Sequence, residues 1–274
     1  MNRSFETPQP IDLYIEINKG RVDVRATDSA TTEVTIRGQE ADEVVVAFED
    51  NQLRIIGPKE SGGWFSGKDH HLDVRVELPT GSDVAVRTGS ADIQIDGQVH
   101  EVDLKTGSGD VTCDTFSGAA RINTGSGDVE LSEALAELQV KSGSGDISVG
   151  TCVGNVNVST GSGDVEIGTT NSKAVVKTGS GDLKVGITND DVSLSTGSGD
   201  LTIGTARRGR LSLKGASSDV RVGIPAGTPV WTDITTVTGS VRSNLESVGA
   251  PQEGQDHIEL QARTVSGDVQ LTQI

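Results

Sequence analysis

Aromatic side chains are nearly missing from this sequence. Two Trp, one Tyr and four Phe make up 3% of its 274 residues. A packed globular core of ordinary type relies on such rings for much of its buried area, so another kind of core is expected. Basic residues are also scarce, 23 against 40 acidic ones, for a formal charge of −17. That balance excludes nucleic acid and anionic membrane surfaces as natural partners. No stretch approaches 18 apolar residues, so there is no membrane-spanning helix. Residues 1–10 are polar and lack a basic start followed by an apolar run, which excludes a visible secretory signal and sets a cytoplasmic expectation. The two cysteines, Cys113 and Cys152, cannot build a disulfide framework. No helical 3.6 periodicity runs through the middle of the chain.

What is abundant is glycine, 35 residues, and it recurs in a fixed phrase. Thr106-Gly107-Ser108-Gly109-Asp110-Val111-Thr112-Cys113 is the first full occurrence. The phrase returns at Thr124, Ser142, Thr160, Thr178 and Thr196, with a looser copy at Thr88. Its aspartates are Asp92, Asp110, Asp128, Asp146, Asp164, Asp182 and Asp200, each 18 residues from the last. Asp219 follows after 19, and a further copy ends at Asp268. A period held this strictly means stacked units, not a folded-up globule.

Numbered from the Thr, positions 6 and 8 of each unit are apolar, as in Val129 and Leu131, with a polar residue between. Positions 15 and 17 repeat the pattern, as in Leu138 and Val140. Each unit thus predicts two short strands with two inward residues each. One unit cannot bury four apolar side chains, but stacking about 4.8 Å apart makes four continuous columns. Ser132 to Leu138 is expected as a bulging turn. Thr-Gly-Ser-Gly-Asp is then a corner, with both glycines read as supplying positive φ. Ser and Asp can bond the corner's own amides.

Stacking forces Asp92 to Asp219 into one ladder of eight carboxylates, repelling at close range unless amides, solvent or cations offset it. Two nonapeptides of the calcium-binding β-roll also make 18 residues. Here one residue is missing between Gly109 and Asp110, and the second half of each unit has no Gly-x-Asp corner. Hard-cation sites need six to eight oxygens. The ladder is therefore read as a turn staple, with calcium as the sharper alternative and no cofactor otherwise. Two steps place Cys113 and Cys152 about 9.6 Å apart, beyond disulfide reach, so both are expected as buried thiols of a reducing compartment.

Before the repeat, Ile11 to Ile17, Arg21 to Arg25, Glu33 to Arg37, Glu43 to Phe48 and Gln52 to Ile56 read as strands, with Asn18-Lys19-Gly20 a turn and Asn51 a hairpin tip. Residues 57–71 read as a long loop. Trp64 and Phe65 at its centre are read either as a cover for the apolar columns or as an exposed partner contact. Asp69, His70 and His71 lack further ligands for a metal site. Three stretches of one continuous domain follow: 1–87 as irregular strands or cap, 88–222 as the regular repeat, and 223–274 as closing coils with a mobile loop at 244–256. Arg207-Arg208-Gly209-Arg210 is read as a solvated corner. No Ser-His-Asp set, Walker loop or Cys-x-x-Cys pair appears, so no enzyme is expected.

The repeated Thr-Gly-Ser-Gly-Asp-Val, the alternating N-terminal strands and the closing Thr264-Val265-Ser266-Gly267-Asp268-Val269 resemble the bacterial β-strand-repeat family named putative adhesins, a domain of unknown function. The resemblance runs from about Ile11 to Leu271. It implies an all-β, right-handed, single-stranded parallel β-solenoid with an irregular start, and it supplies no catalytic residues. The expected role is a non-catalytic interaction or scaffold module, monomeric or weakly self-associating, for a protein or cell-envelope macromolecule. Alternatives are end-to-end self-assembly, as in the bactofilins, a calcium-stabilised surface adhesin and, last, a polysaccharide enzyme.

Overall fold

A computed structural model describes residues 1–58 and 71–274. Trp64 and Phe65, with Asp69 and His70, lie outside the described residues. The chain gathers into two compact units, Met1–Leu135 and Ala136–Ile274.

The first unit holds β1 (Asn2–Glu6), β2 (Asp12–Ile17), β3 (Lys19–Thr27), β4 (Thr31–Arg37), β5 (Val45–Glu49), β6 (Gln52–Ile56), β7 (His71–Pro79), β8 (Asp83–Thr88), β9 (Asp92–Val99), β10 (Val102–Thr106), β11 (Val111–Phe116), β12 (Ala120–Thr124) and β13 (Val129–Ala134). One sheet runs β1-β4-β7-β3-β9-β11-β13 and the other β12-β10-β8-β2-β6-β5. In the repeat, pairing is parallel and joins residues 18 apart, Val111 to Val129 and Val102 to Ala120. Inward residues such as Val111, Leu104, Ile122 and Val129 are buried. Columns of β-branched and aliphatic side chains suit such a pleated, two-sided core.

The first coil of the chain is not the outermost one. β2 lies between β6 and β8, and β3 lies between β7 and β9. Lys19 and Gly20, expected in a turn, already belong to β3, and only Asn18 bends. Gly20 has φ 124°, and a Cβ there would meet the Leu72 carbonyl oxygen at 1.9 Å, so both the backbone angle and the close approach require glycine. The edge is finished differently: β4 and β1 add antiparallel to one sheet, and β5 adds antiparallel to the other. Glu43, expected at the start of a strand, ends a short 3-10 turn, Ala41–Glu43. This connection between β4 and β5 crosses from one sheet to the other and buries Ala41 and Val44. Phe5 and Phe48, from the outermost strands of the two sheets, meet with ring centroids 5.2 Å apart and planes tilted by 42°. The β5–β6 hairpin turns at Asp50 and Asn51, both with positive φ, a pairing that suits a tight two-residue turn.

The second unit holds β14 (Leu138–Ser142), β15 (Ile147–Cys152), β16 (Val156–Thr160), β17 (Val165–Thr170), β18 (Ala174–Thr178), β19 (Leu183–Thr188), β20 (Val192–Ser198), β21 (Leu201–Ala206), β22 (Gly209–Ser217), β23 (Val220–Ile224), β24 (Val230–Thr236), β25 (Val241–Ser243), β26 (Ile258–Thr264) and β27 (Val269–Gln273). Its sheets run β15-β17-β19-β21-β23-β27-β25 and β14-β16-β18-β20-β22-β26-β24. The last coil in sequence, expected to close the stack, slips inside instead. β26 pairs with β22 on one side and β24 on the other, and β27 sits between β23 and β25. Composition explains the order. β26 offers Ile258, Leu260 and Ala262, all buried, whereas β24 aligns Val230, Thr232 and Ile234 with them, half-buried or exposed. The more apolar coil takes the position covered on both sides.

Two further expectations change. The first strand of each repeat unit carries a third inward residue, at position 11: Phe116, Ala134, Cys152, Thr170, Thr188 and Ala206, all buried. Alternation from position 8 would have put it at position 10. Two successive residues, exposed Asp114 and half-buried Thr115 in β11, stand before it and move it by one, as a bulge does. Thr170 and Thr188 satisfy their buried hydroxyls by donating to the carbonyls of Ser172 and Asp190 at 2.7 and 2.8 Å. Ser132 to Ala134, expected in a turn, complete β13, and only Leu135 and Ala136 bend.

Candidate functional site

The corner is built from its Thr upward. Thr106 and Thr124 are buried, and each Oγ1 accepts from the amide of the Gly three residues on, both at 2.9 Å. Ser142 and Thr160 do the same toward Gly145 and Gly163 at 2.9 and 3.2 Å. The glycines were expected to supply positive φ, yet Gly107, Gly109, Gly125 and Gly127 do not have it; Gly199, at 134°, does. What they supply is closeness. A Cβ on Gly109 would lie 1.9 Å from the Ala91 carbonyl oxygen, and one on Gly127 would lie 1.9 Å from that of Gly109.

Each aspartate then reaches to its neighbour's backbone. In the first unit, Asp110 and Asp128 donate their amides to Oδ1 of Asp92 and Asp110 at 3.1 and 3.0 Å. In the second, the amides of Asp164, Asp182 and Asp200 reach Oδ1 of Asp146, Asp164 and Asp182 at 2.7–2.8 Å. The ladder then follows space, not sequence. Asp219 bonds Asp200, Asp268 bonds Asp219, and Ser240 bonds Asp268, at 3.1, 2.9 and 2.8 Å. A hydrogen bond to the charged form favours it, and the Ser240 amide holds the Asp268 carboxyl below its ordinary range. Cations stand at intervals: Arg221 bridges Asp200 and Asp219 at 2.8 and 3.1 Å, and Arg21 aligns with Asp92. Among the described residues no three His, Cys, Asp or Glu side chains form a group that could hold a metal ion. His71 bonds Asp73 at 3.1 Å.

The arginine cluster is engaged with its own surroundings. Arg210 reaches Glu259 through Nε and Nη2 at 2.9 and 2.7 Å, and Arg208 reaches Asp256 at 3.5 Å. They line a polar groove of about 720 Å³ with Asp190, Asp191 and His257. Cys113 and Cys152 are both free and buried. Burial pushes both thiols up, Cys152 to about 12, so neither is a poised nucleophile.

One feature was not read from the sequence. The β24/β25 edge of the second unit is open. A cavity of about 420 Å³ lies there, lined by Ile224, Val230, Ile234, Val241, Leu245 and Val248 among others. Trp231 on β24 is 62% exposed. The alternating Val230–Thr236 reads as an ordinary strand, and only its place in the sheet order leaves it uncovered.

These are the marks of an all-β repeat protein with long parallel ladders and a structural corner motif. The chain belongs to the Toastrack DUF4097 family, whose model matches residues 12–175 and 170–274. Among solved structures it is similar to a putative adhesin from Parabacteroides distasonis (14% identity, all of this chain and 96% of that one, TM-score 0.40). A putative adhesin from Bacteroides fragilis (13%, all and 96%, 0.37) and a putative cell adhesion protein from Clostridium sporogenes (12%, all and 99%, 0.23) are also similar. Likenesses this loose carry no argument about function. No curated protein matches the chain. No helix among the described residues is long and apolar enough to cross a membrane.

Proposed function

We propose that the chain is a non-catalytic interaction module of the adhesin type, wound as a right-handed solenoid of 18-residue coils, with a macromolecule of the protein or cell-envelope class as its partner. The observation that carries this is the regular outward face of the parallel sheets. On the β14-β16-β18-β20-β22 sheet, Lys141, Ser159, Lys177, Ser195 and Lys214 stand in register, and neighbouring strands hold them in a column. Such a surface offers an extended, repeated contact. The aspartate corner is a staple in this reading: Asp92, Asp110, Asp146, Asp164, Asp182, Asp200, Asp219 and Asp268 each accept a backbone amide, so the ladder needs no calcium. The reading also keeps the protein in the cytoplasm, in keeping with two reduced, buried thiols.

The test is binding by the full chain, immobilised, against soluble and envelope fractions, followed by titration with the purified partner. A saturable partner lost on Lys141→Glu/Lys177→Glu/Lys214→Glu, with the same affinity in calcium and in chelator, is expected. Binding that survives the triple substitution, or that requires calcium, would overturn the reading.

A further inference from the structure

The second unit ends in two strands that each lack a neighbour. Among the described residues β24 pairs only with β26, and β25 only with β27. Their inward residues continue the buried columns: Val230, Thr232 and Ile234 align with Ile258, Leu260 and Ala262, and Val241 and Ser243 with Val269 and Leu271. Those partners are buried, yet Val241 is 50% exposed and Ile234 only half-buried. Nine large hydrophobic residues are exposed among the described ones, and six of them, Trp231 to Ile274, belong to this C-terminal stretch. An apolar end flanked by two unpaired strand edges invites strand addition.

We propose that a second copy of this chain docks on this edge to form a closed two-fold dimer. A single extended peptide can extend one strand edge. A second copy offers both at once. A two-fold axis parallel to the strands sets β24 of each copy antiparallel on β25 of the other, and the apolar columns run on across the contact. The inward residues of the edge, Val230, Thr232, Ile234, Val241 and Ser243, carry no charge, so the patch is self-complementary, as a two-fold contact requires. The outward residues are complementary in charge. β24 presents Asp233 and β25 presents Arg242, which fall on one face as opposite or diagonal cross-strand neighbours. At home each has only a loose ion pair: Asp233 with Arg263 at 3.7 Å (it also accepts from Gln261 at 3.0 Å), and Arg242 with Asp268 at 4.0 Å. The described edge of the first unit has another form: its outermost strands β1 and β5 also pair on one side only, but they run antiparallel to their sheets, and the connection between the sheets buries Ala41 and Val44 beside the Phe5–Phe48 contact. A head-to-tail filament is therefore not the expected assembly.

Light scattering after size exclusion, over a concentration series of the full chain, tests this. The expected mass is twice 28.4 kDa. Ile234→Asp/Val241→Asp should return the monomer, while Val45→Asp, at the β5 edge, leaves the dimer. Because edge variants can disturb folding, charge reversal supplies an independent readout. Asp233→Arg and Arg242→Asp alone should each weaken the dimer at least tenfold, and the two together should restore it. Within one chain the double reversal repels Arg263 and Asp268, so rescue reports the contact between copies. A monomer at every concentration, a mass that grows beyond two, a dimer indifferent to Ile234→Asp/Val241→Asp, or a double reversal without rescue would each overturn the proposal. None of these outcomes bears on the outward lysine column, which the partner titration tests separately.

Discussion

The two units share a corner and differ at their free edges. Both stack Thr, Gly and Asp so that aspartates accept the next coil's amide, as Asp92 and Asp110 do in the first and Asp146, Asp164 and Asp182 in the second. In both, the coil nearest the chain terminus moves inward and a coil nearer the middle of the sequence lies outside it. The first unit then adds antiparallel strands and buries Ala41 and Val44 in the connection between sheets. The second leaves two parallel edges and a cavity of about 420 Å³. The lesson is that a repeat secures its own interior, while its ends need sequence that the repeat does not contain.

The largest effects should be equal in the two units, because the corner is the same in both. Gly109→Ala in the first and Gly163→Ala in the second each drive a Cβ to about 2 Å from the carbonyl oxygen of the coil before. Each is expected to cost about 3 kcal/mol, read as a lower urea midpoint at unchanged slope. Equal losses sharpen the view of one corner used twice. A mild effect in one unit would break it.

The edges should respond unequally. Leu53 on β6 is fully buried beneath the closed edge, whereas Ile234 on β24 is half-buried at the open one. Leu53→Ala is expected to cost about 3 kcal/mol and Ile234→Ala less than about 1 kcal/mol in the monomer. Similar losses would mean that the β24/β25 edge is covered after all.

Smaller still is the pH effect at the outer end of the ladder. The Asp268 carboxyl titrates below its ordinary value in the folded chain. Its contribution to stability is therefore complete above the unfolded value of about 4, and is lost as pH falls through the folded pKa. Thermal melts from pH 7 to 2 should show a shallower acid decline for Asp268→Asn than for the parent. A parallel decline would remove Asp268 from the acid response.

Much of this was legible in advance. The 18-residue step gave the parallel register, and the apolar pairs at positions 6, 8, 15 and 17 gave the columns. The aspartates had to line up because their strands did. The third inward column escaped notice because an irregularity displaces Phe116 and Cys152 from the alternating position. Positive φ, the reason expected for the corner glycines, holds at Gly199 and Gly267; at Gly109 and Gly127 the reason is a carbonyl neighbour in the adjacent coil, 18 residues away in sequence. The order of the terminal coils was hidden as well, since local patterns do not say which of two strands lies further out.

By itself, then, the sequence determined what repetition controls: strand period, coil spacing, inward columns and the aspartate corner. These are set by residues that meet their own equivalents, so one unit predicts the next. Only the tertiary structure decided which coil covers which, that β26 lies inside β24, and that the first unit is closed at its edge while the second is open. That choice depends on comparing the apolar surface of coils far apart in the chain, and the comparison is made only when they compete for the same place in the sheet.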